Sequence, residues 1–155
     1  MPSRPADPHS WASWPGYLEA HAGKLRDYVD HFIIEDRLQH TLTDAAVLWV
    51  GELICADGYE IHLRRQQIVE MRQGIPWVKT VLYSYQALHR RGDETRKLFR
   101  YDNIHTHEGH ETAHHRHRFD ANGVERLPCE HVGAVGWPNL GQVLDELHAF
   151  WQERR

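Results

Sequence analysis

Residues 46–65 read "AVLWVGELICADGYEIHLRR", and this stretch decides the fold. Two runs of apolar and β-branched residues flank Asp57-Gly58. An Asp-Gly pair in that setting is a strong hairpin signal, because a type I′ turn needs positive φ and Gly takes it without steric cost. After the turn the residues alternate. Tyr59, Ile61 and Leu63 fall on one side, and Glu60, His62 and Arg64 on the other. Successive strand residues point to opposite faces, so the pattern predicts an antiparallel ladder with one apolar and one polar face.

Further strands follow downstream. "WVKTVLYSYQALH" at 77–89 is apolar on both faces and reads as a central strand, with Trp77, Tyr83 and Tyr85 as core. "RRGDE" turns the chain, and "TRKLFRY" at 95–101 puts Phe99 and Tyr101 on one side, Leu98 and Arg100 on the other. "HHRHRF" at 114–119 and "VERL" at 124–127 form a last hairpin across Asn122-Gly123. Upstream, "HFIIEDRLQ" at 31–39 reads as one short strand.

Both ends are helical. Trp14, Tyr17, Leu18, His21, Leu25, Tyr28, Val29 and Phe32 recur at three- and four-residue spacing, with Ser13 placed to cap and Pro15 in the first turn. Leu140, Val143, Leu144, Leu147, Phe150 and Trp151 repeat likewise, and Asn139 with Gln142 forms a capping-box pair. Helix, consecutive strands, helix predicts an α+β fold. Its sheet is an antiparallel meander of about five to six strands, flanked by an N-terminal and a C-terminal helix. Residues 1–12, rich in Pro, Ser and Asp, are expected to be a flexible leader to a single domain at 13–155.

With 155 residues, 41% apolar and 26% charged, the composition suits one soluble globular domain. No apolar run approaches the roughly 20 residues of a membrane span. The N-terminus carries no apolar core of an export signal, and Cys55 and Cys129 have no metal or redox spacing. A cytoplasmic chain with no membrane partner is expected. Phosphate-loop, dinucleotide and nucleophile-elbow motifs are missing. The net charge is −4, yet 89–118 is a basic stretch in an otherwise acidic chain, which favours an anionic partner at one place.

The chemistry concentrates at 100–119, "RYDNIHTHEGHETAHHRHRF". It holds six of the fourteen histidines: His105, His107, His110, His114, His115 and His117. Together with 79–99, "KTVLYSYQALHRRGDETRKLF", it resembles the TumE-type toxins of toxin–antitoxin pairs, a family also catalogued as a domain of unknown function. The resemblance rests on Tyr83-Ser84-Tyr85, the strand ending Phe99 to Asn103, His105 in the loop, and His114 to His117; it extends over roughly residues 14–152. The loop lacks the prolines of the family pattern, Arg116 stands for its commoner lysine, and 120–135 is longer than expected. The resemblance implies a toxin whose protein partner is a cognate antitoxin. An exposed sheet edge would also allow a homodimer.

Three readings of the histidines stay open. In the first, the chain is a metal-independent ribonuclease. RNA supplies the 2′-OH nucleophile, so two imidazoles and a cation suffice, each proton-transfer group giving about 10²–10⁴-fold. His105 pairs with His115 or His117 as acid and base, Arg100 and Arg116 hold phosphate with Arg118, Tyr101 stacks a base, and Asp102 and Asn103 shape the site. In the second, His105, His107, His115 and His117 hold zinc, or Asp102, Glu108 and Glu111 complete a manganese or iron site. In the third, the loop only recognises nucleic acid or antitoxin. Cys129 with His131 is a weak thiol dyad, and His89 is the one outlying histidine near the site.

Overall fold

The computed structural model describes residues 10–105 and 112–155, the side chains of 134 and 135 excepted. The expected α+β architecture is present, with an N-terminal helix, an antiparallel sheet and a C-terminal helix. In chain order the elements are β1 (Ser10–Trp11), α1 (Trp14–Val29), β2 (Ile33–Asp36), β3 (Gln39–Leu42), β4 (Ala46–Cys55), β5 (Tyr59–Arg72), β6 (Ile75–Arg91), β7 (Glu94–Asp102), β8 (His115–Phe119), β9 (Glu125–His131), α2 (Gly133–Gly136) and α3 (Leu140–Gln152). The spatial order is β2-β4-β5-β6-β7-β8-β9, with β3 also on β4 and β1 on β6. Among the described residues no helix is long and apolar enough to cross a membrane.

Among the described residues the sheet has nine strands, more than the five to six expected. One extra strand arises because 31–39 splits. β2 and β3 share the same edge of β4, and the chain breaks between them at Arg37-Leu38. Gly51 faces that break with φ of +134°, and a Cβ there would lie 2.3 Å from the Arg37 carbonyl oxygen. Another is β1: Ser10 and Trp11, inside the stretch expected to be a leader, pair with Lys79 and Val78. Residues 1–9 lie outside the described residues.

The Asp57-Gly58 turn forms between β4 and β5, with φ of 56° and 84°. Gly58 is required there, since a Cβ would meet the Arg90 carbonyl oxygen at 2.2 Å. Both helix starts are capped as the sequence indicates. Ser13 Oγ accepts the Gly16 N–H at 3.0 Å, and Asn139 and Gln142 bond reciprocally at 2.9 Å. Such a cap contributes about 1 kcal/mol.

The helices cover one face of the sheet. Trp49, Leu53, Ile61, Leu63, Tyr83, Tyr85 and Phe99 meet Leu140, Val143, Leu144 and Leu147 in the core. Each fully buried leucine contributes about 1.5–3 kcal/mol. The end of α3 is pinned to the hairpin turn, where Trp151 Nε1 donates to Asp57 Oδ2 at 2.7 Å. Trp77, expected in the core, lies outside it. There Val78 is the buried residue, and Trp77 stacks with Arg72 at 5.1 Å.

Candidate functional site

The other face of the sheet, turned away from α1 and α3, is built by strand alternation and register alone. Two cross-strand rows run over it side by side. The first is Glu52, His62, Gln86, Arg100 and His117. The second is Val50, Arg64, Ser84, Asp102, His115 and His131. Directly opposite residues in an antiparallel pair bring their side chains within contact, so these rows are near-continuous strips of polar groups.

The histidine end of the strip is buried. Asp102 is 2% exposed, His115 0% and His117 7%. Arg100 Nε donates to Asp102 Oδ2 at 2.7 Å, and His117 Nε2 lies 3.3 Å from the same oxygen. His117 Nδ1 lies 2.5 Å from Glu125 Oε1. The ring is therefore hydrogen-bonded to a carboxylate at Nδ1 and has a second carboxylate near Nε2, with a guanidinium alongside. This arrangement keeps buried charges paired and oriented, as low-dielectric surroundings require. His115 Nδ1 bonds the Ala113 carbonyl at 2.8 Å and sits beside Asp102. At the strip's other end Arg90 and His62 hold the Glu60 carboxyl below its ordinary value, the Arg90 hydrogen bond at 2.9 Å being the larger cause. Burial, with Glu125 and Asp102 nearby, pushes the Cys129 thiol up, which disfavours a thiolate nucleophile there.

The proposed phosphate contacts divide between the faces. Arg100 and Asp102 belong to the strip, but Arg116 and Tyr101 point toward α3. Arg116 pairs with Glu146, and Tyr101 donates to Glu146 Oε2 at 2.8 Å; the guanidinium sits 5.5 Å from the Tyr101 ring. Arg116 thus joins β8 to α3 and cannot share a phosphate with Arg100. Arg118 is exposed and pairs with Glu130 at 2.8 Å. Asn103 extends the β6–β7 ladder: its side chain accepts from the Tyr83 N–H and donates to the Val81 carbonyl, both at 2.9 Å. His114 is stacked on Trp137 at 4.9 Å and bonded to Tyr83 at 2.9 Å, and burial pulls its pKa down.

His105 is exposed in the bend after Asn103. His107, Glu108, His110 and Glu111 lie outside the described residues. Among the described residues no group of three or more His, Cys, Asp or Glu side chains is arranged to hold a metal ion. His89 bonds the Asp57 carbonyl at 2.9 Å and stacks on Tyr59, away from the cluster. Sequence reading missed Glu125 and Glu146, the carboxylates that hold His117 and Arg116. Comparisons with family models, curated proteins and solved structures return no match.

Proposed function

We propose that the chain acts on RNA as the toxin of a toxin–antitoxin pair, with the polar strip as the surface on which the RNA lies. The observation that carries this reading is the row Glu52-His62-Gln86-Arg100-His117, which sets hydrogen-bonding and cationic groups at strand spacing and ends on an oriented imidazole. Adjacent strands stand about 4.8 Å apart, close enough for several of these groups to engage successive backbone phosphates. Arg64, exposed in the second row and with no ion pair among the described residues, supplies a phosphate contact.

In this reading His117 is the proton-transfer residue. Asp102 keeps Arg100 as its partner when His117 Nε2 takes the 2′-OH proton, Glu125 holds the other nitrogen, and the leaving 5′-oxygen takes its proton from water. Arg100 stabilises the charge that develops on phosphorus. No metal enters the chemistry, and the cognate antitoxin is the protein partner. A second reading has its own support. Each ring nitrogen of His117 already has a carboxylate beside it, which suits a binding module that recognises RNA or antitoxin without cleaving.

The deciding experiment incubates the untagged protein with total RNA and with defined single strands in excess chelator, and reads both cleavage and retention. Cleavage lost in His117→Ala, and binding weakened about uniformly by Arg64→Glu, support the ribonuclease. Retention without cleavage moves the assignment to the binding module. Cleavage only on adding a divalent ion moves it to a metal-dependent hydrolase. Neither binding nor cleavage overturns the RNA reading altogether.

A further inference from the structure

The deepest charge on the helix side belongs to Arg65, and nothing in the strip accounts for it. Arg65 is 5% exposed. Its guanidinium lies 4.9 Å from the Trp49 ring and 5.5 Å from the Tyr17 ring, and its Nε and Nη2 have no hydrogen-bond partner. Among the described residues no carboxylate lies within ion-pair distance of it. A buried cation left unpaired is costly, because the protein interior does not replace the water it has lost.

Arg65 lines a cavity of about 350 Å³ enclosed by α1, the helix-facing side of the sheet and the first turn of α3. The other charges in its wall are already compensated. Asp145 pairs with Lys24 at 3.1 Å and accepts the Tyr28 hydroxyl. His21 is neutral at pH 7, because burial, Arg65 and His40 pull its pKa down to about 4. One positive charge therefore remains without an answer. The first turn of α3 adds to it. The capping box satisfies Asn139 and Gln142, while the Leu140 and Gly141 N–H groups have no acceptor within the helix. The Thr80 hydroxyl already accepts from Gln67 Nε2 at 3.3 Å, and Trp11, Leu25, Tyr85 and Leu144 make the apolar part of the wall.

We propose that this cavity is a binding site for a small organic monocarboxylate with an aromatic or branched aliphatic body. The carboxylate is the anion that a planar guanidinium pairs with bidentately; Nε and Nη2, closed to solvent in the ligand-free chain, turn toward the cavity to meet it. A single negative charge balances the single uncompensated cation. The apolar wall takes the body of the molecule, which sets this ligand apart from inorganic phosphate. The volume falls within the range of small-molecule pockets. The site lies on the opposite face from the histidine cluster, so it stands whether or not the chain acts on RNA.

Isothermal calorimetry on the full chain tests this with benzoate, indole-3-acetate and 3-methylbutanoate, against their neutral amides and inorganic phosphate. At least one carboxylate is expected to bind saturably at one site per chain, with neither amides nor phosphate binding. Arg65→Met is expected to lose about ten- to a hundredfold in affinity, the worth of hydrogen bonds to a charged group. Ala20→Phe, which fills the cavity from α1 and leaves Arg65 in place, is expected to abolish binding while circular dichroism shows the native fold. Three results overturn the proposal: no carboxylate binds, amides bind as tightly as acids, or Ala20→Phe binds unchanged.

Discussion

Arg64 and Arg65 are neighbours in the sequence with the same side chain, and the sheet sends them to opposite fates. Arg64 stands in the outer polar row, exposed to water. Arg65 points under α1, between the rings of Tyr17 and Trp49, with two donors unsatisfied. The faces as a whole differ in the same way. At the histidine end of the outer face buried ionic groups are answered by carboxylates, Arg100 and His117 by Asp102 and His117 again by Glu125. On the helix face Arg116 and Lys24 have Glu146 and Asp145, while Arg65 meets only aromatic rings and is left over. A buried charge that is paired has finished its electrostatics within the chain, whereas a buried charge left unanswered has room for something from outside.

The largest expected effect breaks the paired face. Asp102→Asn leaves Arg100 and His117 beside each other without their shared counter-charge. Losing one partner of a buried pair costs about 3–5 kcal/mol, and urea unfolding is expected to show a loss in that range. A loss under about 1 kcal/mol would mean that pairing is not what holds the outer face.

The next effect concerns the helix face and acid. His21 has its pKa lowered to about 4 by burial first, then by Arg65 and His40. The folded chain therefore binds this proton less readily than the unfolded chain. Stability contributed by the neutral ring is complete above the unfolded pKa of about 6.5 and falls as pH drops from there toward 4, by about 3 kcal/mol in total. His114 is lowered too and adds to the slope in the same direction. Glu60, whose pKa lies below its ordinary 4.5, begins to lose stability only as pH falls below that value. Unfolding free energies between pH 7 and 4.5 are thus expected to flatten in His21→Phe, and an unchanged slope would place the acid sensitivity elsewhere.

How much of this was open to sequence reading follows from which interactions are local. The β4–β5 hairpin, both helix caps and the division of His115 and His117 from His114 and Arg116 were legible, because each rests on a turn dipeptide, a three-residue spacing or the two-residue strand period. The carboxylate on His117 was not legible. Phe119 pairs with Glu125 and Arg118 with Arg126, one residue off the register of a two-residue Asn122-Gly123 turn, so counting across that dipeptide does not bring Glu125 to His117. The split between β2 and β3 depends on Gly51 meeting a backbone carbonyl two strands of sequence away. The Arg65 cavity needed α1, β5 and the start of α3 to converge, and no short stretch carries that. Arg65 reads as one more basic residue in "HLRRQQ" until the helices are in place.

A smaller effect sharpens the contrast at the seam with α3. Tyr101 and Arg116 both end on Glu146. Tyr101→Phe removes one hydrogen bond and leaves the carboxylate paired with Arg116, so about 1 kcal/mol is expected in the same urea assay. A loss near that of Asp102→Asn would mean the helix face depends on ionic links as heavily as the outer face does.

The smallest expected effect is the most informative, because burial alone would predict the opposite. Arg65 is among the most buried charged residues, yet Arg65→Met in the ligand-free chain is expected to shift stability by less than about 1 kcal/mol in either direction. Methionine keeps most of the apolar volume and discards an uncompensated charge, which favours the folded state. Lost cation–π contact with Trp49 and Tyr17 offsets that gain by about 1–2 kcal/mol. Losing 3 kcal/mol or more, as at Asp102, would show that the rings alone are sufficient partners for the guanidinium. The cation would then be structural, and the two faces would differ only in the kind of group that answers charge, not in whether one of them awaits a ligand.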